Sequence, residues 1–345
     1  MSLTNTERPA TNAVARLAGQ FFRSRETGIL AALVIVIAVT TIVNPTFLFS
    51  SDGFRDLLLT PSILILIAVG QAMVIITRSV DLSVGSVVGL TAYLTGRLFI
   101  DVPGIPIVAV FLIAIAAGAV LGLVNGLLVA FGKVPALVIT LGTLYAYRGI
   151  NVLWTGSNRI NSSDMPKAFL NVGTETFLFI PYLSIIALVV VLAAGWYLRN
   201  KRGGRELYAI GSDPGAAELY GLNVTRRILV AFVLSGALAG LAGILFAARY
   251  GTTNSQTGTG LELQAVGAAV IGGVAIFGGS GTVYGAEIGA VLLLTINRAL
   301  PILGIQDFWQ QAVVGALIIG AIVLDRLLAL RLSRKLTSEH QVSHD

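Results

Sequence analysis

Residues 105–131 read IPIVAVFLIAIAAGAVLGLVNGLLVAF, with no charged side chain along the run. About 20 helical residues rising 1.5 Å each cross the roughly 30 Å hydrocarbon layer, so this stretch is long enough to span a membrane. Residues 177–198, FLFIPYLSIIALVVVLAAGWYL, form a second such run. Outward from these two, hydropathy predicts further spans at 28–43, 57–77, 82–98, 134–153, 229–248, 263–279, 283–300 and 308–330. Composition agrees: 55% of residues are hydrophobic, 12% are charged and the mean hydropathy is +0.86, whereas a soluble domain carries about 25% charge. The 39 glycines against 10 prolines fit helices that approach one another closely. The expected fold is therefore an all-α membrane protein of about ten transmembrane helices. Its short third span and the glycine-rich eighth and ninth are the ones open to breaking or re-entry.

The expected organisation is one transmembrane domain, 28–331, between a polar segment, 1–27, and a polar tail, 332–345. The basic head of the first segment is long and its apolar stretch ends at Asn44-Pro45 without a small-residue cleavage site, which reads as an uncleaved first helix. On alternating sides of the ten spans, most of the 23 lysines and arginines fall with the N-terminus, the loop 199–227 and the C-terminus. The positive-inside rule then places both termini and that loop in the cytoplasm.

Several function classes drop out. Without cysteine there is no disulfide, iron–sulfur centre or thiolate site. Both histidines, His340 and His344, lie in the tail, so the membrane body holds no imidazole for acid–base or metal chemistry. No catalytic constellation and no metal-ligand set is predicted. The basic residues are scattered among helix ends rather than forming a stripe, which argues against nucleic acid despite the formal charge of +6. Residues 126–134, GLLVAFGKV, miss the Walker A pattern in spacing and in the hydroxyl after lysine. Gly278-Gly-Ser-Gly281 reads as a turn between membrane helices.

No predicted span carries an ionisable group near its middle. Glu262 and Glu287 lie near helix starts and Arg97, Arg148 and Arg298 near helix ends, as the helix dipole favours. An ion-coupled carrier places carboxylates or histidines along its path, so the energy is expected to come from elsewhere.

The most distinctive polar sequence is the loop 199–227. Within it Asp213 suits an N-cap, Pro214 the first helical position and Gly221 a left-handed stop, which predicts a short helix over 214–220. Too short to span a membrane, it would lie at the surface and present Leu219 and Tyr220 to lipid headgroups or to a partner protein.

Four motifs in order resemble the permease subunits of ribose-type ATP-binding cassette importers, which carry monosaccharides in bacteria: GQAMVIITRSVDLSVGS (70–86), VPALVITLGTL (134–144), GRELYAIGSDPGAAELYGLN (204–223) and GGVAIFGGSGTVYG (272–285). One departure is Arg78-Ser-Val-Asp81, where that family usually has Gly-Gly-Ile-Asp, and it bears on the local helix end. The resemblance implies a multi-pass protein of the bacterial inner membrane, imported sugar or polyol as cargo, a second permease subunit, a partner ATPase and an extracytoplasmic sugar-binding protein. ATP and magnesium would act at the ATPase, with no cofactor on this chain. The segment 213–221 would be the coupling helix: Asp213, Pro214 and Gly221 set its shape, and Ala217, Glu218, Leu219 and Tyr220 serve the ATPase contact. Related permeases for nucleosides or branched-chain amino acids share the scaffold.

For a hydroxylated cargo, uncharged polar groups are the natural pathway candidates: Gln71, Asn125, Thr140 and Thr143. Each has an equally simple reading as an interhelical hydrogen bond. Asp81 and Ser83 read as a cap for the third helix. Gly118, Gly122 and Gly126, like Gly281, Gly285 and Gly289, recur every four residues and mark close-packed faces. Ala68-Val-Gly70 followed by Gly85 and Gly89 resembles Ala265-Val-Gly267 followed by Gly285 and Gly289, a weak sign of duplication.

Overall fold

The computed structural model describes residues 25–132, 134–306, 309, 311–313, 315–316, 319–320 and 323. The predicted tenth span and the segment 1–27 fall largely outside the described residues, and the tail 332–345 falls wholly outside them. Helices dominate: α1 (Arg25–Val43), α2 (Thr46–Phe49), α3 (Ser51–Leu59), α4 (Ser62–Ile76), α5 (Val84–Asp101), α6 (Ile107–Gly132) and α7 (Ala136–Thr155) come first. A turn of 3-10 helix (Ser162–Asp164), α8 (Lys167–Thr174) and a two-stranded hairpin, β1 (Thr176–Phe177) with β2 (Ile180–Pro181), follow. Then come α9 (Tyr182–Asn200), α10 (Arg202–Ser212), α11 (Pro214–Leu219), α12 (Val224–Tyr250), α13 (Leu261–Ile271) and α14 (Val283–Ile302).

Among the described residues six helical stretches are long and apolar enough to cross a membrane: Ser51–Ile76, Ile107–Gly132, Ala136–Thr155, Tyr182–Asn200, Val224–Tyr250 and Val283–Ile302. Three further predicted spans also coincide with helices. α1 is apolar over Thr27–Val43 and α13 is a short apolar helix, while α5, at 18 residues, is about 27 Å long. Two spans start earlier than expected, at Ser51 and Val224, and two are cut short. The sixth span begins at Tyr182 rather than 177, because Leu178 and Phe179 take positive φ at the tip of the hairpin. The eighth ends at Ile271 rather than 279, because Gly273, Gly278, Gly279 and Gly281 all adopt positive φ, which an α-helix cannot contain.

α4 forms the centre. Every one of its residues is buried, as expected of a helix that is apolar all round. α12 packs across it and against α5 and α6, and small residues make the approach possible. A methyl group on Gly122 would collide with the Phe232 carbonyl, and one on Gly118 with that of Gly236. Gly243 lies equally close to Val88 and Thr91 on α5. The two glycine ladders read from sequence thus pack against α12 and, for Gly285 and Gly289, against Ala268 and Gly272. In hydrocarbon, where lipid tails are as apolar as leucine, such close packing is what holds helices together.

At the end of the molecule opposite α11, Arg249 donates to the Leu59 carbonyl at 2.6 Å, and Arg298 donates to the Gly53 carbonyl at 2.9 Å while stacking over Phe47. Arg249 satisfies backbone freed at the Thr60-Pro61 break between α3 and α4, whereas Arg298 binds near the start of α3.

Candidate functional site

The loop between α9 and α12 holds two helices where one was expected. α10 was hidden by its charges and by Gly203 and Gly204. It buries Leu207, Ile210 and Gly211 on one face, the i, i+3, i+4 spacing of an amphipathic helix. Glu206, also buried, joins Arg202 on its own helix at 2.7 Å and Arg227 at the start of α12. Burial pushes its carboxyl upward, but the hydrogen bonds from Arg227 and Arg202 outweigh this and hold it below the usual carboxylate range.

α11 has the predicted geometry. Asp213 accepts the Ala216 amide at 3.1 Å and Pro214 fills the first helical position. At the far end Gly221 takes φ 76°, its amide donates to the Glu218 carbonyl at 2.9 Å, and Leu222 donates to Ala217 at 3.0 Å. That pair of bonds is the Schellman stop. Ala217 is buried and anchors the helix inward, whereas Glu218 is exposed and Leu219 and Tyr220 are 91% and 87% exposed. An apolar and an aromatic side chain are thus held outward, side by side, on a capped turn.

α10 is tied to the membrane core through Gly211, Tyr208 and Arg78. Gly211 lies against the Ile76 carbonyl, where even a methyl group would collide. The Gly279 amide donates to that same carbonyl at 2.9 Å, and the Tyr208 hydroxyl donates to the Gly281 carbonyl at 2.9 Å. Arg78, where the sequence departs from the usual glycine, is left-handed at φ 64°. It ends α4 in a Schellman motif, with its amide on Ile75 and that of Ser79 on Val74. Its side chain donates to the carbonyls of Gly211 and Ser212 at the end of α10. The end of α4, the glycine loop 272–281 and α10 therefore form one junction beneath α11.

The candidate pathway and cap residues meet around the break between α4 and α5. Asp81 accepts the Ser83 amide and hydroxyl at 2.9 and 2.7 Å. Asn125 donates to the Ser83 hydroxyl at 2.6 Å, and Tyr147 reaches the Asn125 carbonyl oxygen at 3.3 Å. With its amide oriented so that nitrogen faces the Asp81 carbonyl and oxygen the Asp81 amide, Gln71 pairs with both, at 3.1 and 3.2 Å, and Thr140 donates to the Val80 carbonyl at 2.9 Å. Ser83 does hold the position before α5, but its side chain caps no helix amide. Asp81 instead caps the turn leading into the helix. Gln71, Asn125 and Thr140 are fully buried, and Thr143 bonds back to the Thr140 carbonyl. Gln71, Asn125 and Thr140 thus tie neighbouring segments together, while Thr143 bonds within its own helix.

Sequence reasoning passed over the segment 251–260, GTTNSQTGTG. It leaves α12 through Gly251 at φ 62° and pairs Thr253 with Ile160. Ile160 packs on Gly96, the Thr257 carbonyl lies on Gly89 and that of Gly258 on Gly85. The segment thus follows α5 inward for about 16 Å, at 1.5 Å for each helical residue from Gly96 to Gly85. Arg148 donates to the Thr257 carbonyl at 2.7 Å and Asn151 to the Ser255 carbonyl at 3.3 Å. Two side chains of α7 thereby satisfy backbone that no helix satisfies. Re-entrant backbone of this kind occurs at membrane depth only when protein buries it or water reaches it.

Membrane-crossing helices, a docked surface helix and a re-entrant segment are a transporter's architecture. A family model described as branched-chain amino acid transport system / permease component matches residues 53–322. The chain belongs to this permease family. Curated relatives agree over nearly its full length. The autoinducer 2 import system permease protein LsrC of Enterobacter sp. (strain 638) is 37% identical over 312 residues, covering 90% of each chain. That of Klebsiella pneumoniae is 38% identical over 90% of this permease and 89% of its own length. The corresponding protein of Yersinia pseudotuberculosis is 35% identical, over 92% and 89%. No solved structure matched the permease. As a member of the family it is a multi-pass protein of the inner membrane and a transport component.

Proposed function

We propose that this permease is the membrane subunit of an ATP-driven importer for a small, neutral, hydroxylated solute: a pentose, hexose, deoxysugar or polyol, or the autoinducer 2 named for its relatives. The observation that carries the reading is α11, a capped six-residue helix that turns Glu218, Leu219 and Tyr220 outward from a junction rooted in the membrane core. In this reading α11 seats in a partner ATPase, which binds ATP and magnesium, and closure of the ATPase pulls on the junction of α4, α10 and the glycine loop. A second permease subunit completes the pathway, and an extracytoplasmic binding protein delivers the cargo. Ten spans with both termini and the loop 199–227 in the cytoplasm complete the topology, with the transmembrane domain taken as 28–331.

The cargo assignment rests on charge. The polar groups packed inside the membrane body around the α4–α5 break are amides, hydroxyls and one carboxylate already engaged by Ser83 and Asn125. No cation is aimed at a site for an anion there. Uptake by the permease reconstituted with its ATPase and binding protein, from a panel of labelled pentoses, hexoses, deoxysugars, polyols, autoinducer 2, nucleosides and amino acids, tests the assignment. Uptake of one sugar-like member is expected. Uptake confined to branched-chain amino acids, which the family description names, or to nucleosides would replace it.

A further inference from the structure

Beside the re-entrant segment lies a cleft of about 350 Å³, bordered by Thr252, Asn254, Gln256 and Thr259 and by the rings of Phe246 and Tyr250. The segment's opposite side is occupied: Arg148 and Asn151 hold its carbonyls, and Gly85 and Gly89 press against it. The cleft side is open, and Gln256 and Thr259 are exposed. The segment runs about 16 Å along α5, from the level of Gly96 to that of Gly85, and polar groups spread over that length of the membrane body cannot face hydrocarbon. Water or another protein wall must lie against them.

We propose that this cleft is the cargo-contacting wall of the translocation pathway, and that Thr252, Asn254, Gln256 and Thr259 hydrogen-bond the hydroxyls of the passing solute. The wall rests on the importer reading and adds to the candidates Gln71, Asn125, Thr140 and Thr143, whose hydrogen bonds are made within the chain. Its chemistry is complete for the purpose. Hydroxyls and side-chain amides both donate and accept, and the Phe246 and Tyr250 rings, 4.4 Å apart, offer an apolar surface to the carbon face of a sugar ring. The nearby carboxylate, Glu262, accepts the Gly260 amide at 3.1 Å and lies against Gly85, away from the cleft. Arg249, which stacks over the Tyr250 ring, is engaged by the Leu59 carbonyl and the Thr60 hydroxyl, so the polar groups that border the cleft itself are neutral.

Because the permease contains no cysteine, Thr252→Cys and Gln256→Cys each introduce a unique thiol. Each variant, in proteoliposomes with the ATPase and binding protein, is exposed to a charged, membrane-impermeant methanethiosulfonate. Leu188→Cys, on the exposed apolar face of α9, serves as the lipid-facing comparison. Expected are labelling of both cleft thiols several-fold faster than Cys at position 188, and loss of most uptake relative to the same variant before the reagent. Labelling no faster than at 188, or full labelling with uptake unchanged, would overturn the proposal. If the unmodified complex imports no neutral solute, the importer reading fails, while fast cleft labelling would still establish a wetted wall.

Discussion

The Nε of Arg78 donates to the carbonyl of Gly211 at 2.6 Å, fastening the end of α4 to the end of α10. The residue does this from a left-handed backbone, φ 64°, that costs a non-glycine residue about 1–2 kcal/mol. A cation on the last carbonyls of a helix is favoured by the helix dipole, so the strain is offset by what the side chain holds.

Two substitutions at Arg78 separate these effects. Arg78→Gly loses the bonds but relieves the backbone, whereas Arg78→Ala loses the bonds and keeps the strain. Thermal unfolding in detergent should show Arg78→Ala to be the less stable of the two by about 1 kcal/mol. Equal stability would contradict the left-handed assignment. Uptake should fall in both.

The α6–α12 contact predicts a contrast between glycines. Gly122→Ala places a methyl group against the Phe232 carbonyl and forces the helices apart, at a cost of about 1–3 kcal/mol. Gly142→Ala, on α7, meets nothing within 4 Å and should be neutral or slightly stabilising. Equal effects in a detergent stability assay would contradict the packing.

Glu206 predicts a pH dependence. Its carboxyl is held below the usual range in the folded protein. Its stabilising contribution is therefore complete above the unfolded value, about 4.3, and is lost as pH falls through the lowered folded value. Glu206→Gln should cost about 1.5–3 kcal/mol at neutral pH, with the gap to wild type closing on acidification below the unfolded value. A gap that does not change with pH would show that the ion pairs with Arg202 and Arg227 contribute little.

The outward side chains of α11 should matter for drive and not for folding. Leu219 and Tyr220 contact little of this chain, so a Glu218→Arg, Leu219→Asp double variant should insert and purify normally. It should lose most uptake and most stimulation of the partner ATPase. Normal stimulation would remove α11 from the coupling role.

How legible all this was depended on whether the information was local. Asp213, Pro214 and Gly221 specify their own cap, first turn and stop, so α11 could be read from a few neighbouring residues. α10 could not: its glycines and charges obscure a face that exists only because Ile76 and Gly279 lie opposite Gly211. Hydropathy carried the eighth span to 279, since glycine counts as mildly apolar while its backbone is free to leave the helix. The depth of 251–260 was invisible for the same reason that Gln71, Asn125 and Thr140 were ambiguous. Polar residue types are plain in a sequence, but whether they meet water or a neighbouring helix is decided by contacts such as Gly85 with Gly258 and Asn125 with Ser83, far apart along the chain.

The central claim is that a partner ATPase, acting through α11, drives inward transport. The most direct test is uptake by the reconstituted complex, with ATP supplied on the α11 side and ion gradients collapsed by ionophores. The account predicts uptake that requires hydrolysable ATP, ignores the loss of the gradients and disappears with Glu218→Arg, Leu219→Asp. Uptake that continues without ATP on a sodium or proton gradient would contradict it.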